Sequence, residues 1–282
     1  MKILIVGGSS AVARALRPKI ALFSDVITAG RTGCDIELDL SWPSERMNIP
    51  SGIDCVINLA AHFGGKEYCG IYESEDINVM GSLRLSHACV RAEVSHMVQI
   101  SSVFASLDEE SPFYGSYSVS KSHSEDILKI YAKSSGLPVV ILRLPQIYGE
   151  GYGFRRHQPH LYNIMDLAER GDDIILYGKR DAKRNLMHAD DVSEIISRVI
   201  RKKITGLYTC ATSVNVSYSE IAHAASSAFG GVSRVIFDID KPDIPDNAFE
   251  YDETLFEMID YCPTISLEKG MAREVSFRKA KQ

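Results

Sequence analysis

Tyr117 and Lys121 stand four residues apart, with Ser-Val-Ser between them. On a helix that spacing is one turn, about 6 Å of rise along a single face. A phenol beside an ammonium ion has a chemical use. The cation favours the phenolate, so the tyrosine pKa is expected to fall from about 10 toward working pH. Such a tyrosine can exchange a proton with a hydroxyl or a carbonyl. Any surface helix can carry a Tyr and a Lys at this spacing, so the elements around the pair must decide.

The chain opens on a short apolar strand, Lys2-Ile-Leu-Ile-Val6, that runs into Gly7-Gly8-Ser9-Ser10. Residues 11–17 read as a helix, stopped near Pro18. Strand, tight turn and helix open a dinucleotide-binding unit, in which backbone amides at the helix N-terminus face an anion. Further strands read at Val26–Ala29, at Ile36–Leu40 with Asp39, at Asp54–Asn58, at Met97–Ile100 ending in Ser101-Ser102, and at Pro138–Leu142. A long helix reads over 76–92, and the helix bearing Tyr117 and Lys121 reaches about Ser134. This alternation implies an α/β fold, a Rossmann-like doubly wound parallel sheet. Residues 150–163 read as a loop over a ligand. Helices follow at Asp190–Arg201 and Ser219–Phe229, with Ser217 or Ser219 as cap. The expected division is a dinucleotide-binding domain over 1–150, with helix 190–202 packed back on it. A smaller α/β substrate lobe over 151–282 would leave a cleft at the carboxyl ends of the strands.

With 282 residues and a net charge of −6, the composition is that of an ordinary globular chain and argues against broad nucleic-acid or membrane-surface binding. No apolar run nears the roughly 18 residues of a membrane span, and no signal peptide is read. The six cysteines lack ligand spacing, which points to reduced, buried thiols, a cytoplasmic setting and no metal site.

Taken together, the order of motifs resembles the extended short-chain dehydrogenase/reductase family, the NAD-dependent epimerase/dehydratase group acting mostly on nucleotide-sugars. The resemblance spans nearly the whole chain. It rests on the glycine-rich turn at 7–13, Asp39, Asn58-Leu59-Ala60-Ala61, Asn78-Val79-Met80-Gly81, Ser101-Ser102, Tyr117 with Lys121, and Leu142-Arg143-Leu144-Pro145-Gln146-Ile147-Tyr148-Gly149. It continues through Arg184…His188-Ala189-Asp190-Asp191-Val192 to the tail Tyr261-Cys262-Pro263…Gly270. It implies that Ser102, Tyr117 and Lys121 are catalytic. It further implies a dinucleotide site of Gly7, Ser9, Ser10, Ala11, Val12, Arg31, Thr32, Asp39, Leu40, Leu59, Ala60, Ala61, Asn78, Ser101 and Leu144, together with Tyr117 and Lys121. Ser102, Gln146 and Arg184 would meet a nucleotide-sugar, and homodimerisation through helices 76–92 and 117–134 is expected.

The chain departs from that pattern in three places. Ser10 and Ala13 replace two glycines of GxxGxxG, the loop from Ser102 to Tyr117 is short, and Gln146 stands for the customary asparagine. At the end of the second strand, Gly30-Arg31-Thr32 replaces the acid that would bind a ribose 2′-hydroxyl. A guanidinium there can pair a 2′-phosphate, so NADP is preferred over NAD. The alternatives are an Arg31 that stacks on adenine or is solvated, or an Asp35 or Glu37 that takes the ribose. Arg184 is read as a diphosphate ligand or as the partner of Asp190 or Asp191. Arg155, Arg156 and His157 form a basic cluster that closes over phosphate or is merely solvated. His62 could face the substrate, and His188 reads as structural. The implied reaction is NADP-dependent reduction of a 4-keto nucleotide-sugar. The alternatives are a nucleotide-sugar 4-epimerase with tightly held NAD and, in another class, a non-catalytic dinucleotide-binding regulator. A dehydratase fits less well, because Val103-Phe104 follows Ser102 where Asp-Glu would be needed.

Overall fold

The computed structural model describes residues 1–281, without the side chain of Tyr152. In chain order it holds β1 (Lys2–Val6), α1 (Ala11–Ile20), β2 (Asp25–Gly30), β3 (Ile36–Glu37), β4 (Cys55–Asn58), α2 (Tyr68–Ser74), α3 (Gly81–Arg91), β5 (His96–Ser102), α4 (Ser116–Ser135) and β6 (Val139–Leu144). There follow β7 (Gln146–Tyr148), α5 (Tyr152–Arg155), α6 (Pro159–Arg170), β8 (Ile174–Tyr177), β9 (Lys183–His188), α7 (Ala189–Lys202), β10 (Gly206–Thr209) and β11 (Asn215–Ser217). The last elements are α8 (Tyr218–Phe229), β12 (Val235–Asp238), α9 (Thr254–Ile259) and α10 (Leu267–Lys279).

Two compact units emerge. The first comprises residues 1–144, 193–210 and 253–261, and the second comprises 145–192, 211–252 and 262–281. In the first unit a seven-stranded sheet runs β10-β6-β5-β4-β1-β2-β3, and every pairing in it is parallel. This is the doubly wound α/β fold expected from the alternation of elements. Its strands are short apolar runs buried on both faces, as helices on both sides require; β1 and β4 have almost no exposed residue. Leu4, Val56, Met97 and Ile141 from four neighbouring strands share one core with Leu85 and Leu128 from α3 and α4. The chain order reverses beside β1, which has β2 on one side and β4 on the other. Val6, Ala29 and Asn58 therefore end side by side, at the place where ligands of open α/β sheets bind. The second unit has a three-stranded sheet, β11-β9-β7, and a two-stranded one, β12-β8. Among the described residues, no helix is long and apolar enough to cross a membrane.

Several local expectations change. Helix α1 continues through Pro18 to Ile20. One backbone bond is forgone there, but Ile20 is fully buried and secures the last turn. The third strand stops at Glu37, because Asp39 turns the chain by accepting bonds from the Ser41 amide and hydroxyl. The helix expected at 76–92 begins at Tyr68 and passes through a π-helical turn at Glu75–Met80. Its first part was masked by Gly70 and by the exposed Tyr68, Ile71 and Tyr72. The loop expected over 150–163 is largely helical: α5 forms one turn, and α6 starts with Pro159 at its first position and buries Leu161, Tyr162, Ile164 and Met165. None of the six cysteines is in a disulfide, and not all are buried, since Cys69 and Cys262 are exposed.

Candidate active site

Helix α4 presents Tyr117, Lys121 and Glu125 on three successive turns of one face. Opposite them lies the end of β5. The Ser102 hydroxyl lies near enough to the Tyr117 phenol to act on its proton, and Lys121 Nζ donates to the Ile100 carbonyl at 2.9 Å. The Ser102 hydroxyl also accepts from the Phe104 amide at 3.2 Å, capping the short turn that leaves the strand. Phe63 stacks on the Tyr117 ring at 5.3 Å and Phe104 meets its edge at 6.4 Å. The loop carrying Phe63 is held tightly. Ser116 Oγ donates to the Gly65 carbonyl and accepts from its amide. Gly64, at φ +77°, lies so close that a Cβ would fall 2.8 Å from the Tyr117 amide.

The electrostatics reverse one expectation. Burial pushes the Tyr117 phenol up to about 12, and the nearby Ser102 hydroxyl opposes this only in part. Lys121 does not acidify it in this arrangement, because the ammonium group is turned to Ile100 and lies 5.8 Å from the ring centroid. Burial in turn brings Lys121 down to about 8, with Glu125 acting against that fall.

At the reversal point, Gly7 adopts φ +80°, and a Cβ there would sit 2.8 Å from the Ala60 amide. Only glycine fits such a position. Ser10 caps α1 by accepting from the Ala13 amide. The amides of Ala11 and Val12, the first two of the helix, follow that cap at the positive end of the helix dipole. Small residues, a close turn and a helix N-terminus suit a dinucleotide pyrophosphate. Arg31 and Thr32 are exposed at the end of β2. Asp35 is committed elsewhere: its Oδ2 accepts from the Thr28 amide and hydroxyl at 2.8 and 2.7 Å, which holds its carboxyl below the usual range.

The model of the NAD dependent epimerase/dehydratase family matches residues 3–211. The chain belongs to that family. CDP-abequose synthase of Salmonella typhimurium is 24% identical over 210 residues, 71% of this chain and 69% of that protein. The UDP-glucose 4-epimerase of Thermotoga maritima, solved with UDP-glucose, superposes with a TM-score of 0.82 at 18% identity, covering 100% of both chains. RMD of Pseudomonas aeruginosa, solved with NADPH, also gives 0.82, at 16% identity over 100% of this chain and 99% of that one.

Other residues that the family pattern assigned to ligands have protein partners here. Asn78 is buried; its Oδ1 accepts from the His62 amide, and its Nδ2 donates to the His62 carbonyl and to Ser120 Oγ. Its amide holds the 61–65 loop to α4. Leu40 and Leu144 bury their side chains in the first unit, while Leu59, Ala60 and Ala61 stay half-buried after β4. Ser101 points to Glu125, not outward. His62 pairs with Glu73 at 3.1 Å, and Arg155 pairs with Asp166, while Arg156 and His157 are exposed. In the second unit, Arg184 bonds Tyr218 Oη and the carbonyls of Lys183 and Pro245. Asp190 instead pairs with Arg273, and Asp191 accepts from the Thr264 and Ile265 amides. His188 is buried and packs edge-on against Tyr148, a structural place. Gln146 Nε2 reaches Gln158 at 3.2 Å, and its Oε1 is buried without a hydrogen-bond partner. Sequence reasoning missed Glu125, although it lies one further turn along the Tyr117–Lys121 face, and missed Phe63, whose exposed position gave no signal. Among the described residues, no group of His, Cys, Asp or Glu could hold a metal.

Proposed function

We propose that this chain is an NADP-dependent reductase of a 4-keto nucleotide-sugar. The observation that carries this reading is the meeting of Tyr117, Ser102 and Lys121 at the carboxyl end of β5. They lie in the same unit as a close glycine turn and an exposed Arg31. A bound nicotinamide supplies the hydride. The residues of this chain do the rest. Ser102 Oγ holds the reacting oxygen, and Tyr117 Oη gives it the proton that neutralises the developing alkoxide. A phenol held near 12 stays protonated through the physiological range, as a general acid for reduction requires. Charge left on the phenol oxygen after the transfer would be offset by the Lys121 ammonium once it turns from the Ile100 carbonyl. For the dinucleotide, Gly7 and the Ala11 and Val12 amides receive the pyrophosphate, and Arg31 with Thr32 takes the 2′-phosphate. The commitment of Asp35 to Thr28 favours NADP, since it removes the nearby acid that would bind a bare ribose.

The nucleotide-sugar class is supported by the relatives, whose names carry CDP- and UDP-sugars. In the second unit, the unsatisfied Gln146 Oε1 is an acceptor suited to a sugar hydroxyl. Arg184 remains a candidate for the diphosphate only if an anion replaces one of its carbonyl contacts. A 4-epimerase is the second reading, favoured by the fold match to the Thermotoga enzyme. Incubation with NADPH and a 4-keto nucleotide-sugar separates the two. Stoichiometric loss of NADPH supports the reductase. Nicotinamide that stays bound with no net consumption, while the sugar is inverted, supports the epimerase and overturns the first reading. Absence of any turnover together with dinucleotide binding would point to a regulator.

A further inference from the structure

We infer that Glu125 is the positioning residue for Lys121, fixing α4 to the carboxyl ends of β5 and β6 through Ser101 and Arg143. The inference rests on the assignment of Lys121 to the acid–base group above.

Glu125 is 1% exposed. A carboxylate so placed is costly unless its oxygens are satisfied, and here both are. Oε1 accepts from Ser101 Oγ at 2.6 Å and Arg143 Nε at 2.9 Å, and Oε2 accepts from Arg143 Nη2 at 2.6 Å. The guanidinium engages the carboxylate as a fork, the geometry that fixes orientation as well as charge. Ser101 and Arg143 are direct neighbours across the β5–β6 register, so one side chain from α4 grips two strands at once. The spacing then sets the whole site. Tyr117 meets Ser102, Lys121 meets the Ile100 carbonyl, and Glu125 meets Ser101. Three turns of one helix are matched to three consecutive strand residues. Slippage at Glu125 would carry both other contacts with it.

The pair has an electrostatic consequence as well. The ionisable groups around Lys121 are Tyr117 and Glu125 from its own helix, with Arg143 from β6 reaching it through Glu125. Burial works against the ammonium charge and the Glu125 carboxylate supports it. Packing alone would not call for this arrangement, because apolar residues of similar volume often serve a buried ion-pair position as well or better.

The test reads the Lys121 ionisation directly, by NMR of ε-carbon-labelled lysine in the protein without ligand, with Lys121→Met giving the assignment. Glu125→Gln keeps the shape and removes the charge. The Lys121 midpoint should fall by about one pH unit or more, a tenfold smaller charged fraction at the same alkaline pH. Arg143→Met should move it the other way, since it leaves the carboxylate uncompensated, and it also serves if Glu125→Gln does not fold. Arg143→Lys keeps the balance and should restore the wild-type midpoint. Opposite shifts with rescue support the inference. A midpoint unmoved by either charge-removing variant, or moved the same way by both, overturns it. Neither result depends on turnover. A Tyr117→Phe protein that kept its activity would refute the proposed reaction and leave these titrations as they are.

Discussion

Asn78→Ala separates a clamp from a cofactor ligand. The wild-type amide makes three bonds of 2.8–2.9 Å from a buried position, two to the His62 backbone and one to Ser120 Oγ. A buried hydrogen bond contributes roughly 0.5–1.5 kcal/mol net, so the three amount to about 3 kcal/mol. The cost is bounded on both sides. His62 is only half-buried, so water can take over its backbone groups. Ser120 is fully buried but still donates to the Tyr117 carbonyl. We therefore expect a loss of about 2–4 kcal/mol for Asn78→Ala, read from urea unfolding by linear extrapolation. Dinucleotide affinity of the folded variant, followed by nicotinamide fluorescence, should fall less than about tenfold, the equivalent of 1.4 kcal/mol. A variant as stable as wild type that no longer binds dinucleotide would refute the clamp and return Asn78 to the ligand role suggested by its motif.

Tyr117→Phe should lower turnover by about 10²–10⁴-fold, the usual contribution of a positioned general acid, with dinucleotide binding unchanged in an equilibrium titration. Arg31→Ser should weaken NADPH binding by about tenfold or more, since charge-assisted hydrogen bonds contribute about 1.5–3 kcal/mol, while NADH binding is unaffected; equal losses for both would refute the 2′-phosphate assignment. Stability should show two opposed pH effects. Lys121 has a folded pKa of about 8, below its unfolded value, so the unfolded chain binds more protons and stability rises with pH from about 8 to 10. Tyr117 has a folded pKa of about 12, above its unfolded value; its contribution is present below pH 10 and is lost as pH rises through 10 to 12. Lys121→Met should remove the first effect and Tyr117→Phe the second, in denaturation curves taken across that range.

Much of the first unit was legible from the sequence, because parallel strands buried on both faces read as plain apolar runs. Lys2–Val6, Cys55–Asn58 and His96–Ser102 fall close to where those runs stood. The region after Gly149 was less so. The run Arg155–His160, with little apolar content, hid the start of α6, whose apolar periodicity begins only at Leu161. At the site, spacing revealed Tyr117 and Lys121, since helical periodicity is local. The environment of each group was not local. Nothing near Tyr117 in sequence shows that Phe63 will lie on its ring, or that burial outweighs the lysine in setting its proton affinity. For Asn78 and Ser101 the residue type was suggestive, but their partners, His62 and Glu125, lie too far away in sequence to be read from it.

The central claim is that Tyr117 delivers the proton while a dinucleotide held in the same unit delivers the hydride. Its most direct measurement is deuterium transfer from NADPH deuterated at the nicotinamide C4 to a 4-keto nucleotide-sugar, followed by mass spectrometry of the product. The account predicts one deuterium per product molecule with the wild-type protein, and that labelled product formed about 10²–10⁴-fold more slowly with Tyr117→Phe at equal dinucleotide occupancy. Unlabelled reduced product from the wild type, or undiminished transfer by Tyr117→Phe, would contradict it.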